Sequence, residues 1–199
     1  MTSLFRTVAV LLVVATSLTG AACELKRPET IATRMLEPQL LEAQSEKATA
    51  QASMADARPI RLLETQARGH IGRRLLHQQP SGELTEDPVW RWSSTPDRYL
   101  DTAIRLEVAS HPALRLVDSP NAGVLAATLL IWNIEAAEGG THLVGAVEFQ
   151  FTGIDRAVHT NVMRGSEPVS AELPGDLAAV AGRLLRRLAD QGLQSLADQ

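Results

Sequence analysis

A short aromatic segment that leads directly into a helix-forming segment is the strongest constraint on the fold. Trp90 and Trp92 are one residue apart, and the following segment opens at Pro96. The fixed φ of proline suits the first position of a helix, and Ser94 or Thr95 is placed to cap the first turn. The sequence therefore predicts a helix that begins near residue 96, with an aromatic surface beside its start.

This predicted helix is amphipathic and ends near residue 110. Its apolar residues recur mostly with the helical period, and they are Tyr99, Leu100, Ala103, Ile104, Leu106 and Val108. Asp101, Arg105 and Glu107 are expected on the opposite, exposed side. His111 precedes Pro112, and a residue before proline is disfavoured in the helical region. The apolar stripe needs a second layer, and a sheet would supply it.

The segments after this helix have the alternating pattern of strands. A strand is predicted at 113–118, and a turn cluster at 119–123 precedes a mostly apolar strand at 124–136. Gly139 and Gly140 mark a hairpin turn before a strand at 142–154, and a further strand follows at 157–167. Connections this short predict that the last three strands form an antiparallel meander.

The remaining elements complete an α+β pattern. Strands are predicted at 60–67 and 73–79, with a helix as the alternative for 73–79, where alternation is incomplete. A final amphipathic helix opens at Pro174, with Arg183, Arg186 and Arg187 on its exposed side. Gly182 and Gly192 in that helix indicate close packing or a frayed end. The predicted fold is an antiparallel sheet with two helices packed on one face, preceded by a signal peptide and a flexible tether.

The N-terminus has the features of an export signal. Arg6 precedes an apolar run from Val8 to Leu18, which is shorter than the ~20 residues that a transmembrane helix needs. The small residues at 20–22 then lead directly into Cys23, the only cysteine of the chain. The sequence therefore predicts a lipoprotein signal peptide at 1–22.

The single cysteine requires its own explanation, because an unpaired cysteine cannot form a disulfide within its own chain. The segment resembles the bacterial lipobox, although Gly20 stands where leucine is usual. The resemblance implies that Cys23 becomes an acylated N-terminus, for example with palmitate. The alternative is ordinary cleavage after Ala22, which leaves a free thiol. Glu24 would be the second residue of the mature protein, where an aspartate commonly retains lipoproteins in the inner membrane. Because this residue is not aspartate, we expect the protein to be anchored in the outer membrane, with the inner membrane as the alternative.

Residues 23–57 are predicted to form a polar tether, and residues 58–199 the folded domain. Gln, Glu, Ala, Ser and Lys dominate the tether, and such a composition cannot bury enough apolar surface to fold alone. The segment 33–54 favours transient helix, interrupted at Pro38. An amphipathic helix that docks on a partner is the alternative.

Charge and motif content argue against several functions. Removal of residues 1–22 takes away Arg6 and no acid, so the formal net charge goes from −4 to −5. An acidic body does not suit a nucleic-acid partner. The sequence has no phosphate-binding glycine loop and no nucleophile elbow, and Glu86 and Asp87 are expected to be solvated. No metal, cofactor or enzymatic activity is therefore predicted.

The histidines have no spacing typical of metal ligands. They are His70, His77, His111, His142 and His159.

The aromatic segment has two interpretations. Trp90 and Trp92 lie on the same side of the chain if the segment is extended, and they could join the helix to the sheet together with Arg91 and Tyr99. The alternative is a partner or lipid contact, because aromatic side chains also anchor interfaces. Trp132 is expected in the core.

Two short motifs support a resemblance to a known family. They are Arg91-Trp92-Ser93-Ser94-Thr95-Pro96, before the first helix, and Trp132-Asn133-Ile134-Glu135, on the central strand. Together with the leader, the single cysteine and the order of elements, they resemble the ABC-type transport auxiliary lipoproteins, in particular the PqiC-like type.

The resemblance implies a function that composition alone does not. Family members act with an MCE-domain protein and with the permease and ATPase of an ABC transporter in lipid transport. By analogy, this chain would be a non-enzymatic, lipid-anchored component on the periplasmic face of the outer membrane, docking or stabilising the inter-membrane conduit. A ring of identical copies around the conduit is one arrangement that this analogy allows. The alternative function is that of a periplasmic lipid-binding carrier. A hydrolase would need a nucleophile constellation that the sequence lacks.

Overall fold

The computed structural model describes residues 31–40, 57–137, 140–170 and 175–197. The helices are α1 (Pro96–Ser110) and α2 (Gly175–Ala197). The strands are β1 (Arg34–Leu36), β2 (Arg58–Leu62), β3 (Gln66–Ala67), β4 (Arg74–Gln78), β5 (Leu84–Trp92), β6 (Leu114–Leu116), β7 (Gly123–Ala137), β8 (Gly140–Thr152) and β9 (Val158–Val169). The α+β class with two helices is confirmed.

The first helix begins and ends where the sequence indicates. Thr95 has an extended backbone, with φ −76° and ψ 143°, and Pro96 occupies the first turn. The Thr95 side chain makes no capping hydrogen bond. Its carbonyl instead accepts a bond of 3.0 Å from the Arg98 N–H. At the other end, His111 returns to extended backbone immediately before Pro112, as expected for a residue that precedes proline.

The predicted meander is confirmed and forms one half of the sheet. The strands β7 and β8 pair antiparallel along their whole length, from Val124 opposite Thr152 to Ala137 opposite Gly140. The strand β9 then pairs antiparallel with β8. Within the described parts of the chain, β9 has no further strand neighbour and is therefore a sheet edge.

The other half of the sheet corrects the prediction of an antiparallel sheet. The strands β2, β3 and β4 do not pair with one another but follow one side of β7 in succession, all parallel to it. The registers place Ile60 opposite Gly123, Gln66 opposite Thr128, and His77 opposite Ile134. The sheet is therefore mixed, because alternation fixes which face a residue occupies but not the direction of its neighbour.

The outer strands extend this mixed half. The strand β6 pairs parallel with β2, and β5 pairs antiparallel with β4 through an irregular register between Arg74 and Leu76. The strand β1 pairs parallel with β5 and has no other strand neighbour among the described residues, so it forms one edge of this half. The segment from Trp90 to Trp92 therefore lies inside the sheet, between β1 and β4.

The core lies between the sheet and the two helices. Its fully buried side chains include Leu100, Ile104, Leu129, Leu143, Val147, Leu184 and Leu188. One charged pair lies within this apolar layer: Glu107 of α1 and Arg186 of α2, with Arg186 Nε 2.6 Å from Glu107 Oε1. The prediction that both residues face solvent is wrong, because α1 and α2 pack against each other through these positions.

The folded body starts earlier than the sequence indicates. Residues 32–40, here called the N-terminal segment, belong to the same compact unit as the rest of the body. Leu36 and Leu40 are buried, and the Leu36 carbonyl accepts a 2.8 Å hydrogen bond from the Ser93 N–H. The Gln39 N–H donates to the Ala178 carbonyl of α2 at 3.1 Å.

This placement corrects the predicted tether of 23–57 at residues 32–40. Two leucines four positions apart supply enough apolar surface once a partner sheet edge and helix are available, which composition alone does not reveal. The described part of the predicted transient helix is extended at Arg34–Leu36. Residues 23–30 and 41–56 lie outside the described residues.

Gly182 of α2 provides a test of this docking. A Cβ at position 182 would overlap the backbone of Gln39, so the prediction of close packing at this glycine is confirmed. We expect Gly182→Ala to lower the free energy of unfolding by about 1–3 kcal/mol, because a backbone cannot yield as a flexible side chain can. Urea denaturation measures the loss.

The control for the added methyl group is Gly72→Ala, in the bend before β4, where a Cβ meets nothing within 4 Å and little change in stability is expected. At an unobstructed helix position, Gly→Ala stabilises by about 1 kcal/mol. A gain in stability for Gly182→Ala would therefore show that the N-terminal segment does not lie against α2.

Candidate functional site

Trp92 lies in the core at the junction of sheet and helices. It is fully buried, and its ring centroid is 5.8 Å from that of Trp132, with the ring planes tilted by 50°. This is the tilted geometry that aromatic pairs favour. Neither indole N–H has a hydrogen-bond partner in the described part of the chain. Trp92 therefore packs as an apolar side chain, with its indole N–H buried in the core.

Trp90 lies on the same side of β5 but at the rim of the core. Its ring is half-buried, and the Arg34 guanidinium lies 5.4 Å from the ring centroid. This distance is within the range of a cation–π contact. Trp90 is therefore the accessible member of the tryptophan pair.

The Tyr99 hydroxyl joins three elements beside these tryptophans. It accepts a 2.7 Å hydrogen bond from the Ser94 N–H, donates to Glu37 Oε2 at 3.0 Å, and lies 2.5 Å from the Ser93 hydroxyl. Burial raises the pKa of Tyr99, hydrogen bonds from Ser93 and Ser94 lower it, and Glu37 raises it further; the net shift is upward. The hydroxyl stays protonated and ties the N-terminal segment to α1.

Arg91 belongs to a row of residues on the face of the sheet opposite the helices. Met35, Arg91 and Arg74 are in register across β1, β5 and β4. Arg74 forms an ion pair with Glu86. In contrast, the half-buried Arg91 side chain has no hydrogen-bond or ion-pair partner among the described residues. The structure thus separates Arg91 from Trp92, because adjacent residues of a strand point to opposite faces.

Asp87 positions Trp90, a role that the sequence does not indicate. Its Oδ1 accepts hydrogen bonds from the Val89 and Trp90 N–H groups at 2.8 and 2.7 Å, and its Oδ2 lies 3.0 Å from His77 Nε2. Burial raises the pKa of Asp87, but these hydrogen bonds and the nearby imidazole outweigh it and hold the pKa below the usual value. The expectation of a merely solvated carboxylate is wrong.

Two small clefts lie elsewhere on the body. One of about 280 Å³ lies where β2 begins and β8 ends, with Arg58, Phe151 and Ile154 among its lining residues. The other, of about 110 Å³, lies beside Asn133 and Gln78. Each is smaller than the ~300–1,000 Å³ of typical small-molecule sites.

The described residues contain no group of three or more His, Cys, Asp or Glu side chains that could hold a metal ion. No helix among them is long and apolar enough to cross a membrane. Cys23, the predicted site of lipidation, lies outside the described residues.

Solved structures share this arrangement of sheet and helices. Protein XCC0632 from Xanthomonas campestris, assigned to the family DUF330, matches with a TM-score of 0.65 and 13% identity, over 83% of this chain and 97% of that one. The hypothetical protein CT253 from Chlamydia trachomatis matches with a TM-score of 0.53 and 12% identity, over 71% and 96% of the two chains. No family model and no curated protein matches the sequence.

A minor lipoprotein from Acinetobacter baumannii is a weaker match, with a TM-score of 0.38 and 12% identity over 68% of this chain and 93% of that one. At these identities, the two stronger matches establish the α+β fold and leave the function to the residues themselves.

Proposed function

We propose that this chain is a non-enzymatic, lipid-anchored periplasmic component of an MCE/ABC-type lipid transport system. In this proposal, Cys23 carries the acyl anchor on the periplasmic face of the outer membrane. The body docks or stabilises the inter-membrane conduit, with several identical copies around it. Energy comes from the ATPase of the transporter.

The observation that carries the proposal is the short stretch of chain between Cys23 and the folded body. Arg34 follows Cys23 by eleven positions, which span at most about 40 Å when fully extended. An acylated Cys23 would therefore hold the β1 edge of the sheet close to the bilayer. This arrangement supports an anchored docking component more than a carrier that diffuses between membranes.

The far edge of the sheet supports a docking role. The strand β9 has twelve residues and pairs only with β8 among the described strands, so its outer backbone groups can accept a strand from a partner. The Asn161 side chain donates a hydrogen bond to the Ser195 hydroxyl of α2, so Asn161 lies on the helix side of β9. Because side chains alternate along a strand, Val158 and Val162 lie on the opposite face. Both valines are more than half exposed, and exposed apolar side chains beside an open edge suit a protein interface.

The polar side chains around the tryptophans are engaged in structural contacts, which supports a non-enzymatic role. The Tyr99 and Ser93 hydroxyls are hydrogen-bonded to each other. The Asp87 carboxylate accepts hydrogen bonds from two backbone N–H groups and is hydrogen-bonded to His77. A catalytic group needs hydrogen-bonding capacity that a substrate can use.

The test of the docking role is affinity purification of the full-length protein from its native envelope. We expect an MCE-domain protein, a permease and an ATPase to co-purify with it. In the test variant, Val158→Lys and Val162→Lys in β9 should reduce recovery of these partners in the same purification. Native mass spectrometry showing a soluble monomer with bound phospholipid, and no co-purifying MCE protein, would favour the carrier function instead.

The anchor has a separate test. Cells that express the full-length chain should incorporate a fatty-acid analogue into the wild type, and Cys23→Ser should abolish the label because no other cysteine is present. Glu24→Gln is the matched control, since it alters the neighbouring residue and keeps the thiol. An unlabelled wild type would show that ordinary cleavage leaves a free cysteine.

A further inference from the structure

Arginine is concentrated at the β1 edge, on a body that is otherwise acidic. Arg34 lies on β1 itself, Arg91 on the neighbouring β5, and Arg74 on β4, with Arg73 immediately before it. We call these four residues, together with Met35 and Trp90, the arginine edge. The chain after residue 22 has a formal net charge of −5, so this edge is a local reversal of sign.

Residues of the arginine edge occupy both faces of the sheet. Met35, Arg91 and Arg74 are in register and point away from the helices, because the next residues along β1 and β5, Leu36 and Trp92, are buried on the helix side. Arg34 lies opposite Trp90 on the helix side. A surface that met this edge would therefore contact arginine on either side of β1.

Three carboxylates lie near these four arginines and compensate their positive charge only in part. Asp87 is engaged with His77 and with the Val89 and Trp90 N–H groups. Glu86 pairs with Arg74, and the nearby Glu37 accepts a hydrogen bond from Tyr99. Arg73 donates through Nε to the Trp92 carbonyl at 3.2 Å and is otherwise exposed. The charge of Arg91 has no ion-pair partner within the described residues.

The uncharged members of the edge suit a lipid boundary. The Met35 side chain is 55% exposed, although it is apolar. Trp90 is half-buried and lies beneath the Arg34 guanidinium, while Asp87 fixes its backbone. Tryptophan favours the interface between water and lipid, and arginine binds phosphate oxygens in a bidentate manner.

We propose that the arginine edge lies on the anionic phospholipid headgroups of the membrane that holds the anchor. This inference rests on the proposed lipidation of Cys23, since the eleven-position separation then keeps β1 within about 40 Å of the bilayer. In this proposal the acyl anchor keeps the folded body near the bilayer, and the contacts between arginines and headgroups set the orientation of the body. The body then stands with β1 on the membrane and β9, at the opposite end of the sheet, directed away from it.

Trp90 provides the reporter for this contact. It is the only tryptophan of the three that is not buried, so a brominated lipid should quench its fluorescence selectively. The lipidated full-length product is reconstituted in vesicles of phosphatidylcholine and phosphatidylglycerol in equal parts, and in vesicles of phosphatidylcholine alone, each with brominated phosphatidylcholine. We expect quenching in the anionic vesicles that falls at high salt, as the Debye length shortens from about 8 Å to about 3 Å.

Paired charge variants assign the effect to the edge. The double variant Arg34→Gln and Arg91→Gln should weaken the contact about 25-fold, that is, about fivefold for each arginine near the surface. The matched control, Arg164→Gln and Arg183→Gln, removes the same charge from exposed residues on β9 and α2, and should leave quenching unchanged. Trp90→Phe should remove the quenched signal altogether.

The outcomes separate this inference from the proposed function. Quenching in anionic vesicles that only the edge variant reduces supports the inference. Three results would contradict the inference while leaving the anchor in place, provided that lipidated protein is present in the vesicles. Quenching could be absent, it could be the same with and without phosphatidylglycerol, or it could be equal in the two double variants. If the wild type incorporates no fatty-acid label, both the anchor and this inference are wrong.

Discussion

Replacement of Trp92 by alanine is expected to lower the free energy of unfolding by about 3–5 kcal/mol. The side chain is fully buried and packs against Trp132. Its removal loses the transfer free energy of a large ring and leaves a cavity between sheet and helices. Because a domain of this kind has a total stability of only about 5–15 kcal/mol, the loss is a large fraction of the whole.

Urea denaturation, followed by far-ultraviolet circular dichroism, measures this effect. Trp90→Ala is the matched control: the same truncation at the rim, two residues away, should cost clearly less because the ring is already partly exposed to water. Trp92→Phe should also cost much less than Trp92→Ala, since the buried indole N–H has no partner to lose among the described residues. If Trp92→Ala unfolds at the wild-type urea concentration but loses partner binding, Trp92 is an interface residue.

The sequence is sufficient to predict the elements whose signals are local. Pro96 and the proline after His111 set the ends of α1, and short glycine-containing turns set the meander of β7, β8 and β9. These features depend on the fixed φ angle of proline and on the spacing at which apolar side chains recur. Both can be determined from residues that are close together in the sequence.

Strand direction and long-range docking could not be predicted in the same way. The strands β2, β3 and β4 are parallel to β7 because the chain returns to the same end of the sheet through α1, which no local pattern encodes. Leu36 and Leu40 carry too little apolar surface to indicate a folded segment by themselves. Gly182 is the one signal that could have revealed it, since a glycine within a helix often marks a close backbone approach.

The candidate site shows the same division. The alternation of β5 places Trp90 and Trp92 on one side, but only the packing of the helices makes the first accessible and the second buried. The role of Asp87 was missed because it depends on an irregular strand register. An aspartate followed by proline within a strand is the signal that could have indicated it, since aspartate side chains bond nearby backbone N–H groups.

The ion pair between Glu107 and Arg186 is expected to produce the second large effect. Glu107 is 4% exposed and Arg186 8%, and the two join α1 to α2. We expect Arg186→Met to lower the free energy of unfolding by about 3–5 kcal/mol, because it removes the guanidinium that compensates a buried carboxylate. The periodicity of each helix placed both residues outside, since a helix wheel does not show that a second helix covers that side.

A double-mutant cycle distinguishes this buried pair from an ordinary surface contact. The double variant Glu107→Leu and Arg186→Met should be more stable than Arg186→Met alone, because it removes the buried carboxylate together with the guanidinium and restores apolar packing between the helices. The exposed pair of Arg105 and Asp101, four positions apart on α1, has the same 2.6 Å separation and is the matched control. Its disruption should cost only about 0.5 kcal/mol. Equal losses for the two pairs would mean that water reaches Glu107, and that α1 and α2 do not close over it.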